Sequence, residues 1–177
     1  MKIIKYISTV FTAVFLLSIT SCTKKADVDV TEAKLPAIQL SSLGYQQSSP
    51  FSSNTILQLS FGATTTNLKT GRFTVEILNG TSATSAVLRT VTFNSWSGYD
   101  VTSTPATTPA VLNHSITYAA QPTTYSNTTV YSGNILLKLS LLNLTPNSTY
   151  SVRITGYSAD GTKNSSYTQL SFFRTAA

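Results

Sequence analysis

The sequence predicts an all-β fold, a single antiparallel β-sandwich. Three observations predict it. Serine and threonine supply 25 and 30 of the 177 residues, and Thr, Val, Ile and Tyr favour pleated, half-buried strands. Charged residues are scarce, with 12 Lys and Arg against 6 Asp and Glu. Short alternating apolar runs recur between turn signals, and no segment carries a convincing helical period.

The N-terminus stands apart from this pattern. Met1 to Lys5 holds two lysines, and Tyr6 to Ile19 holds no charge and is dominated by Val, Phe, Leu and Ile. A basic start followed by a short apolar run is the secretory pattern. The run is shorter than the about 20 apolar residues that span a bilayer. It ends at Ile19-Thr20-Ser21-Cys22, and Cys22 is the only cysteine. With one cysteine, neither a disulfide framework nor a thiolate metal cluster is expected.

The segment 23–34, TKKADVDVTEAK, is almost devoid of large apolar side chains and carries Asp27, Asp29 and Glu32. It reads as a flexible tether. Without Lys2 and Lys5 the rest of the chain keeps 10 Lys and Arg against 6 Asp and Glu, a net +4. Lys24 and Lys25 are the only adjacent pair of basic residues. A nucleic-acid binder shows a basic stripe or cluster, so no nucleic-acid partner is expected.

From Leu35 the strands follow in order. LPAIQLSSL starts with Pro36, where a missing N–H is tolerated. TILQLSF sets Ile56 and Gln58 against Leu57, Leu59 and Phe61. RFTVEIL puts Phe73, Val75 and Ile77 on one face and Thr74, Glu76 and Leu78 on the other. Asn79–Ser82 is a turn signal before AVLRTVTF. NILLKLSLLNL aligns Ile135, Leu137, Leu139 and Leu141 on one face. YSVRITGY aligns Tyr150, Val152 and Ile154, and TQLSFFRT closes the chain.

Two stretches resemble known families. Ile19-Thr20-Ser21-Cys22 is similar to the lipobox of bacterial lipoproteins. The resemblance implies cleavage between Ser21 and Cys22, a diacylglyceryl thioether on Cys22 and acylation of the new amine. Two or more chains hold a protein stably where one does not. Thr23, in place of an Asp, implies the outer membrane, and KKADVD resembles the charged segments of lipoproteins sent to the cell surface. The domains expected are a signal peptide at 1–21, an acylated Cys and tether at 22–34, and the sandwich at 35–177.

LTPNSTYSVRITGYSADGT, from Leu144 to Thr162, resembles the E–F corner and F strand of fibronectin type III domains. Leu144, Pro146, Ser148 and Tyr150 fall at the matching positions. The resemblance implies that Tyr150 is a tyrosine-corner residue, its ring buried and its hydroxyl bonded to backbone just upstream. It also implies that RFTVEIL lies beside YSVRITGY. Residues 35–177 exceed one such module, and the excess falls between the C′ and E strands, at about 94–132. VLNHSITY, with Leu112, His114, Ile116 and Tyr118 alternating, is expected to add a strand or hairpin there.

The constellations of catalysis are thin. Beyond the tether the acids are Glu76, Asp100 and Asp160, and His114 is the sole histidine. Glycoside hydrolysis needs two carboxylates a few ångströms apart, and a zinc site needs more ligands than one His. No G-x-S-x-G elbow and no phosphate-binding or dinucleotide motif occurs. The chain is therefore expected to be no enzyme and to carry no cofactor and no metal.

Two features point to binding. Asn94, Trp96, Tyr99 and Asp100 form a polar loop with the only Trp, suited to sugar rings that pack C–H faces on aromatics and give hydroxyls to Asn and Asp; Tyr118 would extend that platform. Alternatively Trp96 plugs the core. The second feature is the outer C–F–G face, where Glu76, Arg153, Tyr157 and Phe173 would stand together. The expected role is a surface lipoprotein, membrane-bound through Cys22, that binds extracellular glycan. The alternative is an adhesive protein that meets a surface protein through the C–F–G face.

Overall fold

The computed structural model describes residues 28–94, 101–104, 111–120 and 125–177, with 101–104 and 111–120 given by backbone and register. Cys22, the signal segment and the first part of the tether lie outside the described residues.

The described strands are β1 (Ile38–Tyr45), β2 (Ile56–Thr66), β3 (Gly71–Leu78), β4 (Val87–Phe93), β5 (Val101–Thr104), β6 (Val111–Ala120), β7 (Thr128–Lys138), β8 (Thr149–Ser158) and β9 (Asn164–Arg174). They form two antiparallel sheets, in the orders β1-β2-β7-β6 and β5-β4-β3-β8-β9. The molecule is an all-β sandwich of two antiparallel sheets. Its strand order is that of the layout with A-B-E-D in one sheet and two strands added to C-F-G in the other. The long excursion after Phe93 supplies β5 to one sheet and β6 to the other.

The alternation read from the sequence builds the core. In β2, Leu57, Leu59, Phe61 and Ala63 are buried, while Gln58, Ser60, Gly62 and Thr64 stay partly exposed. Phe73, Val75 and Ile77 of β3 face them with Val91 and Phe93 of β4 and Tyr150, Val152 and Ile154 of β8. Each such side chain contributes about 1.5–3 kcal/mol by leaving water. Phe61 lies against Gly133 across the β2–β7 ladder, and a Cβ on Gly133 would sit 2.0 Å from the Phe61 ring. The missing side chain is what lets Phe61 reach Phe73, at 5.1 Å between centroids.

Three departures from strict alternation have local causes. Leu78 is buried like Ile77 because the β3–β4 register shifts between them. The β7 run stops at Lys138, and Leu139–Leu141 form a 3-10 turn, held where Leu139 N donates to Thr55 O at 3.1 Å. In β9 the register breaks opposite Tyr150 and Val152, and Ser171 takes a φ of 47°. At that bulge the adjacent Phe172 and Phe173 are both buried, at 5% and 1% exposure.

One flank is closed by backbone. β1 lies against β9, and Leu40 N donates to Ser165 Oγ at 3.3 Å. Beyond β1, Phe51 N donates to Arg174 O and Ala176 N donates to Phe51 O, both at 2.7 Å.

Candidate functional site

The outer face of the five-stranded sheet follows from the register. Thr92 pairs with Thr74, Thr74 with Thr155 and Thr155 with Ser166, and Thr102 of β5 continues the row. A parallel row runs Thr104, Thr90, Glu76, Arg153, Thr168. Each row crosses four strand gaps of about 4.8 Å, or about 19 Å in all. Arg153 Nε donates to Glu76 Oε2 at 2.5 Å, and the Thr155 and Ser166 hydroxyls meet at 2.8 Å. One step along, the Arg72 guanidinium lies 4.7 Å from the centre of the Tyr157 ring. On β3, β4, β8 and β9 the face thus carries the exposed or partly exposed hydroxyls of Thr74, Thr90, Thr92, Ser166 and Thr168 around a paired charge, with Thr155 buried among them at 4% exposure and an arginine-capped tyrosine at one side.

Glu76, Arg153 and Tyr157 are together, as pairing of β3 with β8 requires. Phe173 is not with them. It stacks on Tyr150 at 5.4 Å inside the core, because the ladder pairs it with the inward-facing Tyr150. The face therefore loses the exposed aromatic expected there, and among the described residues its centre carries no large exposed apolar side chain.

Asn94 is exposed at the end of β4. Trp96, Tyr99 and Asp100 lie outside the described residues. Tyr118 is described by register alone, opposite Tyr131, and His114 opposite Ile135. Strand directions bring the β4–β5 connection to the same end as the turns 67–70 and 159–163.

In the 159–163 turn Asp160 accepts from the Ser158 hydroxyl and from the backbone and hydroxyl of Thr162. These bonds, the Ser158 one foremost, lower its pKa from 3.8 to about 2. The carboxylate organises the turn from within.

The opposite end carries the E–F corner. Tyr150 is 1% exposed, and Thr145 N donates to its hydroxyl at 2.7 Å. Leu144 and Pro146 border a recess of about 400 Å³ with Leu139, Asn143 and Thr175.

One polar centre escaped the sequence reading. Residues 28–33 are helical, and Glu32 is 2% exposed. Its carboxylate accepts from Asn127 N at 2.8 Å, Thr128 Oγ1 at 2.9 Å and Asn127 Nδ2 at 3.3 Å. Residues 28–33, placed in the expected tether, thus pack on the sandwich, with Glu32 under the start of β7.

Among the described residues no three His, Cys, Asp or Glu side chains gather as a metal site. Glu76 is engaged by Arg153, Glu32 by Asn127 and Thr128, and Asp160 by its own turn. Among the described residues no helix is long and apolar enough to cross a membrane. A scan of protein-family models and a search of curated proteins return no match to this chain.

Proposed function

We propose that the chain is a surface lipoprotein, anchored through Cys22, whose sandwich is a non-catalytic module binding extracellular glycan on the outer face of the five-stranded sheet. The supporting observation is the pair of cross-strand rows around Glu76 and Arg153. Each Ser and Thr hydroxyl both donates and accepts, which complements sugar hydroxyls spaced along a chain. Arg72 adds a planar fork of donors, and the exposed Asn94 amide stands beside the sheet. Trp96, Tyr99 and Asp100 in the adjoining connection are proposed as further contacts, from their chemistry in the sequence. A protein partner on this face would call for an apolar centre with large aromatics, and the burial of Phe173 weighs against it.

The reading is tested by a glycan array and polysaccharide pull-down with the chain lacking its first 22 residues. Arg72→Ala and Tyr157→Ala are expected to lower retention more than tenfold, and Trp96→Ala reads the contribution of the connection. Retention on no polysaccharide, or retention untouched by all three, defeats the glycan reading.

A further inference from the structure

We propose that the sandwich stands end-on at the bilayer, with the turns 67–70 and 159–163 against the lipid headgroups and the E–F corner pointing away. The inference rests on the Cys22 anchor proposed above. Its first support is the docking of Glu32 on Asn127 and Thr128. Thr128 pairs with Thr66 at the end of β2, so the helical stretch 28–33 is fixed at the loop end.

Chain length then restricts the pose. Residues 22–27 separate the acyl chains from the docked stretch. Six residues reach about 20 Å fully extended and average about 13 Å as coil. β7 alone has 11 residues, about 37 Å at 3.4 Å per residue. An inverted pose, E–F corner down, needs a tether longer than the strands, so the docked stretch forbids it.

Lying flat is allowed by length, and charge decides against it. Among the described residues Lys34, Lys69 and Lys163 are exposed around the loop end with Arg72 beside them, and they outnumber the exposed carboxylates described there, Asp29 and Asp160. The Glu32 oxygens are turned inward and occupied. Anionic headgroups attract such cations, whereas the sheet faces offer mostly hydroxyls. The end-on pose leaves the Thr-lined face upright and reachable from the side.

The test uses the full chain, acylated and reconstituted in vesicles of phosphatidylethanolamine and phosphatidylglycerol that include a nickel-chelating headgroup lipid. A nitroxide is placed at Thr70→Cys or at Ser140→Cys, each the sole free thiol once Cys22 is acylated. Broadening by the nickel lipid is expected to be several-fold greater at 70 than at 140. Equal or reversed broadening in the acylated protein overturns the pose. Absence of acyl mass on Cys22 overturns the anchor itself, which intact mass reads separately. In the Glu32→Ala background the contrast between 70 and 140 is expected to shrink, and an undiminished contrast overturns the role of the docked stretch.

Discussion

The Glu32 carboxylate and the Thr128 hydroxyl meet at 2.9 Å, although 96 positions separate them in the chain. Both residues are buried, at 2% and 4% exposure. Removing the carboxylate leaves Asn127 N and Thr128 Oγ1 without their acceptor under the helical stretch. Glu32→Ala is expected to cost about 1–3 kcal/mol, the penalty for stranded buried donors, and Glu32→Gln less. Urea unfolding gives the loss, and hydrogen exchange is expected to quicken first at 28–35.

Tyr150→Phe keeps the ring on Phe173 and removes the acceptor of Thr145 N. The expected loss is about 1–2 kcal/mol at unchanged m-value. Tyr150→Ala also opens a cavity and is expected to cost about 3–5 kcal/mol.

Gly133→Ala drives a methyl into the Phe61 ring, 2.0 Å away. Overpacking of this kind costs about 1–3 kcal/mol. Adding Phe61→Leu removes the collision, so the double variant is expected to be more stable than the sum of its two single changes. A double-mutant cycle by denaturant unfolding reads that coupling directly.

Asp160 holds its proton less tightly in the fold than in the open chain, with a pKa of about 2 against 3.8. Its contribution to stability is whole above 3.8 and disappears as pH falls through about 2. Asp160→Asn is expected to be less stable than the parent at neutral pH and to converge on it toward pH 2. Unfolding midpoints of the two proteins across that range check the sign.

Arg153→Ala separates binding from stability. The Glu76–Arg153 pair is open to solvent, with side chains 20% and 30% exposed, and such a pair contributes about 1 kcal/mol or less. The melting temperature is expected to move little while retention on a bound polysaccharide falls.

The strands are legible where the alternation of two holds, as in Phe73, Val75 and Ile77 and in Tyr150, Val152 and Ile154, and the resemblance to fibronectin type III domains implies the pairing of β3 with β8 that is observed. The E–F corner is legible through the resemblance carried by Leu144, Pro146 and Tyr150. Phe173 pairs with the inward Tyr150 and so faces the core, across a β9 bulge of two extra residues that no glycine announces, Ser171 taking the positive φ. Glu32 was misread because its partners belong to a strand entered 95 residues later. Composition shows a charged segment and cannot show which of its charges turns inward.

The two flanks of the sandwich differ in how much change they can absorb. On one, β1, Phe51 and the end of β9 are tied through backbone groups, so a residue gained or lost there shifts every donor out of line with its acceptor. On the other, β5 and β6 each have a single partner strand and are joined through connections at both ends of the sheets. Lengthening 94–127 alters edges without disturbing the ladder from β4 to β9. New recognition chemistry can thus be tried at that flank while the backbone ties around Phe51 and the end of β9 stay the same.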